Sequence, residues 1–323
     1  MVDDETINKV RSIFFPNAHS ATQRVIENGK RFVYYTNAET ANSILRGKKI
    51  WLRNVTTMND YMEVAHGFDC LNEAYKQQDL RTKFTSLIDG CFEGLTKEVE
   101  DMFNAWLPTI RTETYIACLS EHVAEEDEHG RLSMWRAYGG RSGVALVMKG
   151  DVLFSKSDVL GAYSSPVGYM NSKLVREQFE TVINNIENSI EYVRGMGRDA
   201  LKNTIFGMMH FAVLCTKHPG FHEEREWRII SSPKIYGTGI LESSIEVVRG
   251  IPQDVYKISL AKDYPEHNLT GLALPNLLDR IIIGPTEFPS TIRRAFISLL
   301  TTAGVADPAS KVFVSDIPLR NLD

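Results

Sequence analysis

Phe221-His-Glu-Glu-Arg-Glu-Trp-Arg-Ile-Ile230 opens as a charged loop and closes as an apolar run. Lys217-His218-Pro219-Gly220 before it reads as a helix stop, and Ser231-Ser232-Pro233 after it as a break. The segment from Glu226 to Ile230, with Trp and Ile in quick succession, predicts a short strand. Side chains two apart on a strand share a face. The pattern thus predicts Glu224 and Glu226 side by side with Arg228 next to them, and Arg225 and Trp227 on the other face. Two carboxylates at a strand entrance repel unless a ligand or a cation meets them. The plainer alternative is a solvated charged turn ahead of an edge strand.

Two amphipathic helices lead into this stretch. One is predicted over 171–196, with Val175, Phe179, Val182, Ile186, Ile190 and Val193 on one face; a more apolar one follows over 201–215. Near the start, Arg31-Phe-Val-Tyr-Tyr35 reads as a strand, and Thr36-x-x-Glu39 is a capping-box signature for a helix that Gly47 ends. Lys49-Ile-Trp-Leu-Arg53 is a second strand. Tyr34, Tyr35 and Thr36 are expected where a strand yields to a helix N-terminus, a place that favours anions such as a pyrophosphate. Asn59 or Asp60 is expected to cap the next helix, and a single long amphipathic helix is predicted over 80–107. Tyr115-Ile-Ala-Cys-Leu119 reads as a strand ending in Ser120, and Glu125-Glu-Asp-Glu128 as a solvated acidic loop. Ser133-Met-Trp-Arg-Ala-Tyr138 reads as a short helical turn and Gly143-Val-Ala-Leu-Val-Met148 as an apolar strand. Further strands are expected at 244–248, 255–260, 281–283 and 311–314, with a helix at 291–300. Strands and helices interleave without a βαβ rhythm, which argues for α+β, as one domain over 1–323 with helical insertions near 60–110 and 171–216.

The 323 residues are 43% hydrophobic and 24% charged, ample for a packed core. A net charge of −5 gives no global basic footprint for nucleic acid. No apolar run reaches membrane-spanning length and the acidic start is unlike a signal peptide, so a cytoplasmic protein without a membrane partner is expected. Cys70, Cys91, Cys118 and Cys215 are scattered in apolar contexts, as free thiols of a reducing compartment would be. His218 and His222 are four apart, but Pro219-Gly220 breaks the helix that would align them on a metal. No Cys-x-x-Cys, G-x-S-x-G, G-x-x-x-x-G-K-[ST] or G-x-G-x-x-G occurs. What remains is carboxylate-centred chemistry, with no metal expected.

Several motifs, taken in order, resemble a widespread family of bacterial and phage-associated domains with no settled family-wide function. They are Tyr34-Tyr-Thr, Ser43-Ile-Leu, Ile50-Trp-Leu and Met58-Asn-Asp60; then Ala117-Cys-Leu-Ser-Glu121, Met134-Trp-Arg-Ala-Tyr138 and Gly143-Val-Ala-Leu; then Glu224-x-Glu-Trp-Arg-Ile229, Ile281-Ile-Ile-Gly-Pro285 and Ile317-Pro-Leu-Arg320. The resemblance covers 32–320. That family in turn resembles a distant branch of the ADP-ribosyltransferase fold, near the DNA-targeting toxins of the DarT type. Those begin with a strand ending His-Phe-Thr, where this chain has Tyr34-Tyr35-Thr36, and many transferases of the fold carry their catalytic glutamate in a Glu-x-Glu pattern like Glu224-Arg225-Glu226.

The resemblance implies a split β-sheet core and glycosyl transfer from NAD without a metal. Under it, Glu226 steadies the positive charge that develops on the ribose, and Glu224 orients or deprotonates the acceptor. Tyr34 or Tyr138 stacks on nicotinamide, Tyr35 and Arg228 flank the cofactor site, and Thr36 meets the pyrophosphate. Ser120 is similar to the serine of the arginine-targeting class, with Trp135 and Tyr138 as alternatives for the middle motif. The implied partners are NAD, an acceptor that is RNA, DNA or protein, and an antitoxin or chaperone of a toxin or phage-defence effector. Other readings are an enzyme that only hydrolyses NAD, an inert nucleotide-sensing module of a defence system, and a nuclease holding Mg²⁺ on Asp60, Glu63, Glu224 and Glu226.

Overall fold

A computed structural model describes residues 4–58 and 63–318, the side chain of Glu63 excepted. Asn59 and Asp60, expected as a helix cap and as metal ligands, lie outside the described residues, as does Arg320. Helices α1 (Asp4–Phe14) and α2 (Pro16–Glu27) open the chain, where the sequence suggests one short patch. Next come β1 (Arg31–Asn37), α3 (Ala38–Gly47) and β2 (Lys49–Asn54). Helices α4 (Glu63–Tyr75), α5 (Gln78–Cys91) and α6 (Leu95–Thr112) lead to β3 (Tyr115–Glu121). The short α7 (Leu132–Met134) precedes β4 (Gly143–Lys149), β5 (Tyr163–Pro166) and β6 (Gly168–Tyr169). Helices α8 (Ser172–Asn188), α9 (Ile190–Gly195) and α10 (Arg198–Leu214) run to β7 (Thr216–Lys217) and β8 (Glu226–Ser231). The remaining elements are α11 (Pro233–Tyr236), β9 (Glu242–Val248), β10 (Ile251–Ser259), α12 (Leu274–Leu277), β11 (Leu278–Ile283), α13 (Pro289–Ala303) and β12 (Val312–Val314). A mixed sheet beside many helices makes the chain α+β. No helix among the described residues is long and apolar enough to cross a membrane.

The elements form two compact units. The first gathers Met1–Arg24, Val55–Thr114 and Ser165–His222. Its core is the apolar stripes of α1, α4, α5, α6, α8 and α10, with Phe14, Ile88, Leu95, Ile183, Ile186 and Leu201 almost fully buried. The helix expected over 80–107 is two helices. The chain turns at Gly94, whose φ of 71° a glycine adopts without a Cβ clash, and the Asp89 carboxylate accepts from Thr96 N to start α6. The helix expected over 171–196 likewise breaks at Ser189, between α8 and α9. The periodic apolar residues continue across both breaks because the two helices of each pair pack on the same core, which is why periodicity alone joins them.

The second unit gathers Val25–Asn54, Tyr115–Ser164 and Glu223–Asp323 and is built on the large sheet. Strand order runs β12-β11-β4-β1-β3-β2-β10-β9, and β8 lies on the other edge of β3. The pairs are antiparallel except β11 with β12, whose parallel pairing is reached over the crossover helix α13. β4 is an interior strand between β11 and β1: six of its seven residues are buried, as suits a run with apolar side chains on both faces. One edge of β3 is shared. β1 pairs with its C-terminal end (Phe32↔Glu121, Val33↔Ser120) and β2 with its N-terminal end (Arg53↔Ile116, Asn54↔Tyr115). β1 and β2 thus share one edge of β3, and α3 connects them in sequence.

Candidate functional site

Three segments far apart in sequence are brought to adjacent strands β1, β3 and β8. Val33 faces Ser120 across β1 and β3, and Ser120 faces Glu226 across β3 and β8. Two residues along, Cys118 faces Arg228. By strand alternation, Val33 and Tyr35 share a face with Ser120, Glu226 and Arg228. Tyr34 and Thr36 lie on the opposite face. There Tyr34 lines an apolar recess with Ile44, Ile50, Leu146 and Met148, and burial pushes its phenol pKa up. The sheet thus separates Tyr34 from Glu226.

Thr36 lies next to the start of α3 but does not cap it. It is a buried residue inside β1, and the cap of α3 is Asn37, whose side chain accepts from Thr40 N at 2.8 Å. The strand runs two residues further than its apolar pattern suggests, so the capping role passes to the first residue that leaves it. The first amide groups of α3 are partly satisfied by this local bond.

The two glutamates do not alternate along one strand. Glu224 closes a short helical turn, Pro219–Glu224, and β8 starts at Glu226. Arg225 between them has φ of 43°, in the left-handed region that costs a residue with a Cβ about 1 kcal/mol. Glu226 is buried, 5% exposed, and its Oε1 accepts from Nε of Arg228 at 2.7 Å; Arg228 is 2% exposed. Glu224 is half-buried, and its Oε1 accepts from the Tyr138 hydroxyl at 2.9 Å. The structure therefore separates the pair into a carboxylate sealed against a cation and a carboxylate within reach of solvent. The solvated-turn alternative does not describe Glu226.

Ser120 is 1% exposed, and its hydroxyl donates to the Glu224 carbonyl. Trp135 and Tyr138 sit on a single π-helical turn, Trp135–Gly139, after α7. Such turns are rare and concentrate at functional sites. Trp135 is 2% exposed and packs edge-on against Tyr35, ring centroids 4.9 Å apart, over Val33, Ala145, Val147 and Ile282. Its Nε1 donates to the His129 carbonyl at 2.7 Å. Glycines enclose it: a Cβ on Gly130, Gly143 or Gly284 would lie 2.6, 3.0 or 2.7 Å from the indole. Trp135 is a packing centre with no free face for a nicotinamide. Tyr35, whose hydroxyl accepts from Arg131 N at 2.8 Å, is held the same way, and burial raises its pKa.

Two groups absent from the sequence reading organise the site. Arg131 donates from Nη1 to Ser120 Oγ and to the Glu223 carbonyl, from Nη2 to the Glu121 carbonyl and Glu126 Oε2, and from Nε to Glu126 Oε1, all within 3.0 Å. In the acidic segment 125–128, Glu125 and Glu128 are exposed as a solvated loop would have them, but Glu126 and Asp127 are half-buried and paired. Glu126 pairs with Arg131 and Arg225, and Asp127 pairs with Arg31 and Arg280 and lies 2.9 Å from His122 Nε2. Burial alone would raise the Asp127 carboxyl, but the bonds from His122 and Arg31 and the charges of Arg280 and Arg31 outweigh it and hold the pKa low. Burial lowers the His122 pKa against the opposing pull of Asp127 and Glu126. The only sequence signal for this cluster is a run of acids five residues ahead of one arginine, Gly130-Arg131, which is too common to decide anything.

Among the described residues, no three His, Cys, Asp or Glu side chains gather as a metal site. The cysteines are free thiols; Cys70 and Cys215 are buried and Cys91 and Cys118 half-buried. No curated protein and no solved structure matches the chain. A family model described as "Protein of unknown function (DUF2971)" matches residues 134–229, a stretch that begins one residue before Trp135 and ends just past the Glu224–Arg228 segment.

Proposed function

We propose that this protein is an NAD-dependent ADP-ribosyltransferase that modifies a macromolecular acceptor, RNA, DNA or protein, as a toxin or phage-defence effector in the cytoplasm. The observation that carries the reading is the Val33–Ser120–Glu226 row, which sets the three motif strands side by side. In this reading the nicotinamide–ribose bond breaks through an oxocarbenium-like transition state, and nicotinamide leaves with the bonding electrons. Glu226 supplies negative charge near the ribose and is held in place by Arg228. Glu224, half-buried and hydrogen-bonded by Tyr138, takes the proton of the acceptor as the new glycosidic bond forms. Tyr138 is the aromatic ring of the original set that remains within reach of the substrate. An antitoxin or chaperone partner belongs to the same proposal.

One observation favours a second reading. The Glu226–Arg228 pair is so buried that it also suits a structural ion pair in an inert, nucleotide-sensing module. Incubation with NAD labelled in the adenylate separates the two. The transferase releases nicotinamide and fixes label on RNA, DNA or protein, while an inert sensing module releases none; an NAD glycohydrolase releases nicotinamide and leaves label in free ADP-ribose. At an NAD concentration about 100 times its Kd, either NAD-binding reading also gives roughly 2.7 kcal/mol of stabilisation in a thermal melt. No nicotinamide release and no thermal shift would remove both.

A further inference from the structure

The geometry points to Arg131 as the positioning residue of Glu224: its guanidinium fixes the turn that presents this carboxylate to Tyr138. The inference rests on the acceptor-side role proposed for Glu224. The turn is not self-supporting. It ends in Arg225 at a left-handed φ of 43°, a conformation that non-glycine residues keep only when their surroundings impose it. What imposes it is the capture of three consecutive carbonyls. The Glu223 carbonyl accepts from Arg131 Nη1 at 2.8 Å. The Glu224 carbonyl accepts from the Ser120 hydroxyl and, at 3.4 Å, from Arg131 Nη1. The Arg225 carbonyl accepts from Glu121 N at 2.9 Å. Arg131 also donates to Ser120 Oγ at 2.8 Å and to the Glu121 carbonyl at 2.8 Å, so one side chain ties the end of β3 to the turn.

Glu126 fixes the guanidinium plane with a two-pronged bond at 2.8 and 3.0 Å, and the same carboxylate meets Arg225 Nη1 at 3.3 Å. Every side of the guanidinium is engaged with protein and the side chain is 11% exposed, so Arg131 acts through Glu224 and not on a substrate. A lysine cannot replace it, because one ammonium does not span a carboxylate and three separate oxygens in a plane.

The test compares the wild type with Arg131→Lys and with Arg131→Lys combined with Arg225→Gly. Amide hydrogen exchange is read at 221–226 and, as an internal reference, at 144–148. Arg131→Lys is expected to speed exchange at 221–226 by tenfold or more and leave 144–148 unchanged. Where NAD turnover is present, kcat for transfer falls while KM for NAD holds. Arg225→Gly, which removes the left-handed penalty, restores part of the protection and part of kcat. Unchanged exchange at 221–226 in Arg131→Lys overturns the inference, and so does equal loss at both segments. If Arg131→Lys does not fold, Glu126→Gln, which frees the guanidinium plane and so weakens its bonds to the carbonyls, gives the same readout. A wild type inert toward NAD ends the transferase reading, while the exchange data still decide what Arg131 does.

Discussion

Ser120 and Glu226 stand directly opposite each other across β3 and β8, yet their side chains serve different ends. The Ser120 hydroxyl is spent on the Glu224 carbonyl, and the Glu226 carboxylate on the Arg228 guanidinium. Residues joined by register are thus divided by function, and the variants that probe them separate accordingly.

Glu226→Gln removes the counter-charge of an arginine that is 2% exposed. Breaking a buried ion pair from one side costs on the order of 3 kcal/mol. The melting temperature is expected to fall by several degrees along with activity. Glu224→Gln keeps an acceptor for Tyr138 at a half-buried position, so stability stays within about 0.5 kcal/mol of wild type. Transfer then drops by roughly 100-fold or more, with nicotinamide release less affected. Melting curves beside both rate assays check this; a Glu224→Gln protein with wild-type transfer would end the acceptor-side assignment.

The Trp135 enclosure gives a steric test. A methyl group on Gly284 would lie 2.7 Å from the indole, and overpacking of this kind costs about 1–3 kcal/mol. Gly284→Ala should therefore be destabilising in the wild type and much less so beside Trp135→Leu. Denaturant unfolding of the four proteins of this cycle measures the coupling. An equal penalty in both backgrounds would show that Gly284 is required for another reason.

Asn37→Ala is expected to cost about 1 kcal/mol, the usual loss of a helix N-cap. Thr36→Val is expected to cost less, because Thr36 is a buried strand residue and caps nothing. Unfolding free energies decide between them. The reverse order would return the cap to the Thr36-x-x-Glu39 pattern.

Acid should loosen the first unit through His210. This histidine on α10 is fully buried, and burial pulls its pKa from 6.5 down to about 4. Between those values the unfolded chain binds a proton that the folded chain does not. Stability is present above about pH 6.5 and is lost as pH falls toward 4, by up to about 3 kcal/mol. His122, lowered in the same direction by burial, adds to the slope in the second unit. Melting temperatures from pH 7.5 to 4.5 are expected to decline less steeply in His210→Leu than in the wild type. Parallel declines would remove His210 from the account.

Much of the fold was legible because apolar periodicity records burial. Gly143 to Met148 reads as a strand since both of its faces are covered, and Val175, Phe179 and Val182 read as a helix since one face is. What escaped the sequence depends on partners far along the chain. Arg131 acquires its role from carbonyls at 121 and 223, and Arg225 turns left-handed because its neighbours' carbonyls are captured. Glu126 and Asp127 read as part of a solvated run because their four cations come from 31, 131, 225 and 280. Trp135 reads as a candidate for the middle motif because glycines 130, 143 and 284 close around it only in space.

The pairing of both β1 and β2 with β3 bears on how the second unit comes apart. Its hydrogen-bonded net is a fork: β3 with β8 is the handle, β1–β4–β11 one tine and β2–β10–β9 the other. The second tine is riveted to the handle by two rungs, Arg53↔Ile116 and Asn54↔Tyr115. Its outer strand shows Ile245 and Val247 to solvent, 73% and 66% exposed, so little apolar burial holds it. Two of its bonds are the ion pairs Lys49–Glu242 and Lys257–Glu246, which salt screens. The β9–β10 tine is consequently the part of the sheet that opens first. Its amides exchange in a sub-global event that leaves the β4 tine closed, and at a free energy that falls as ionic strength rises.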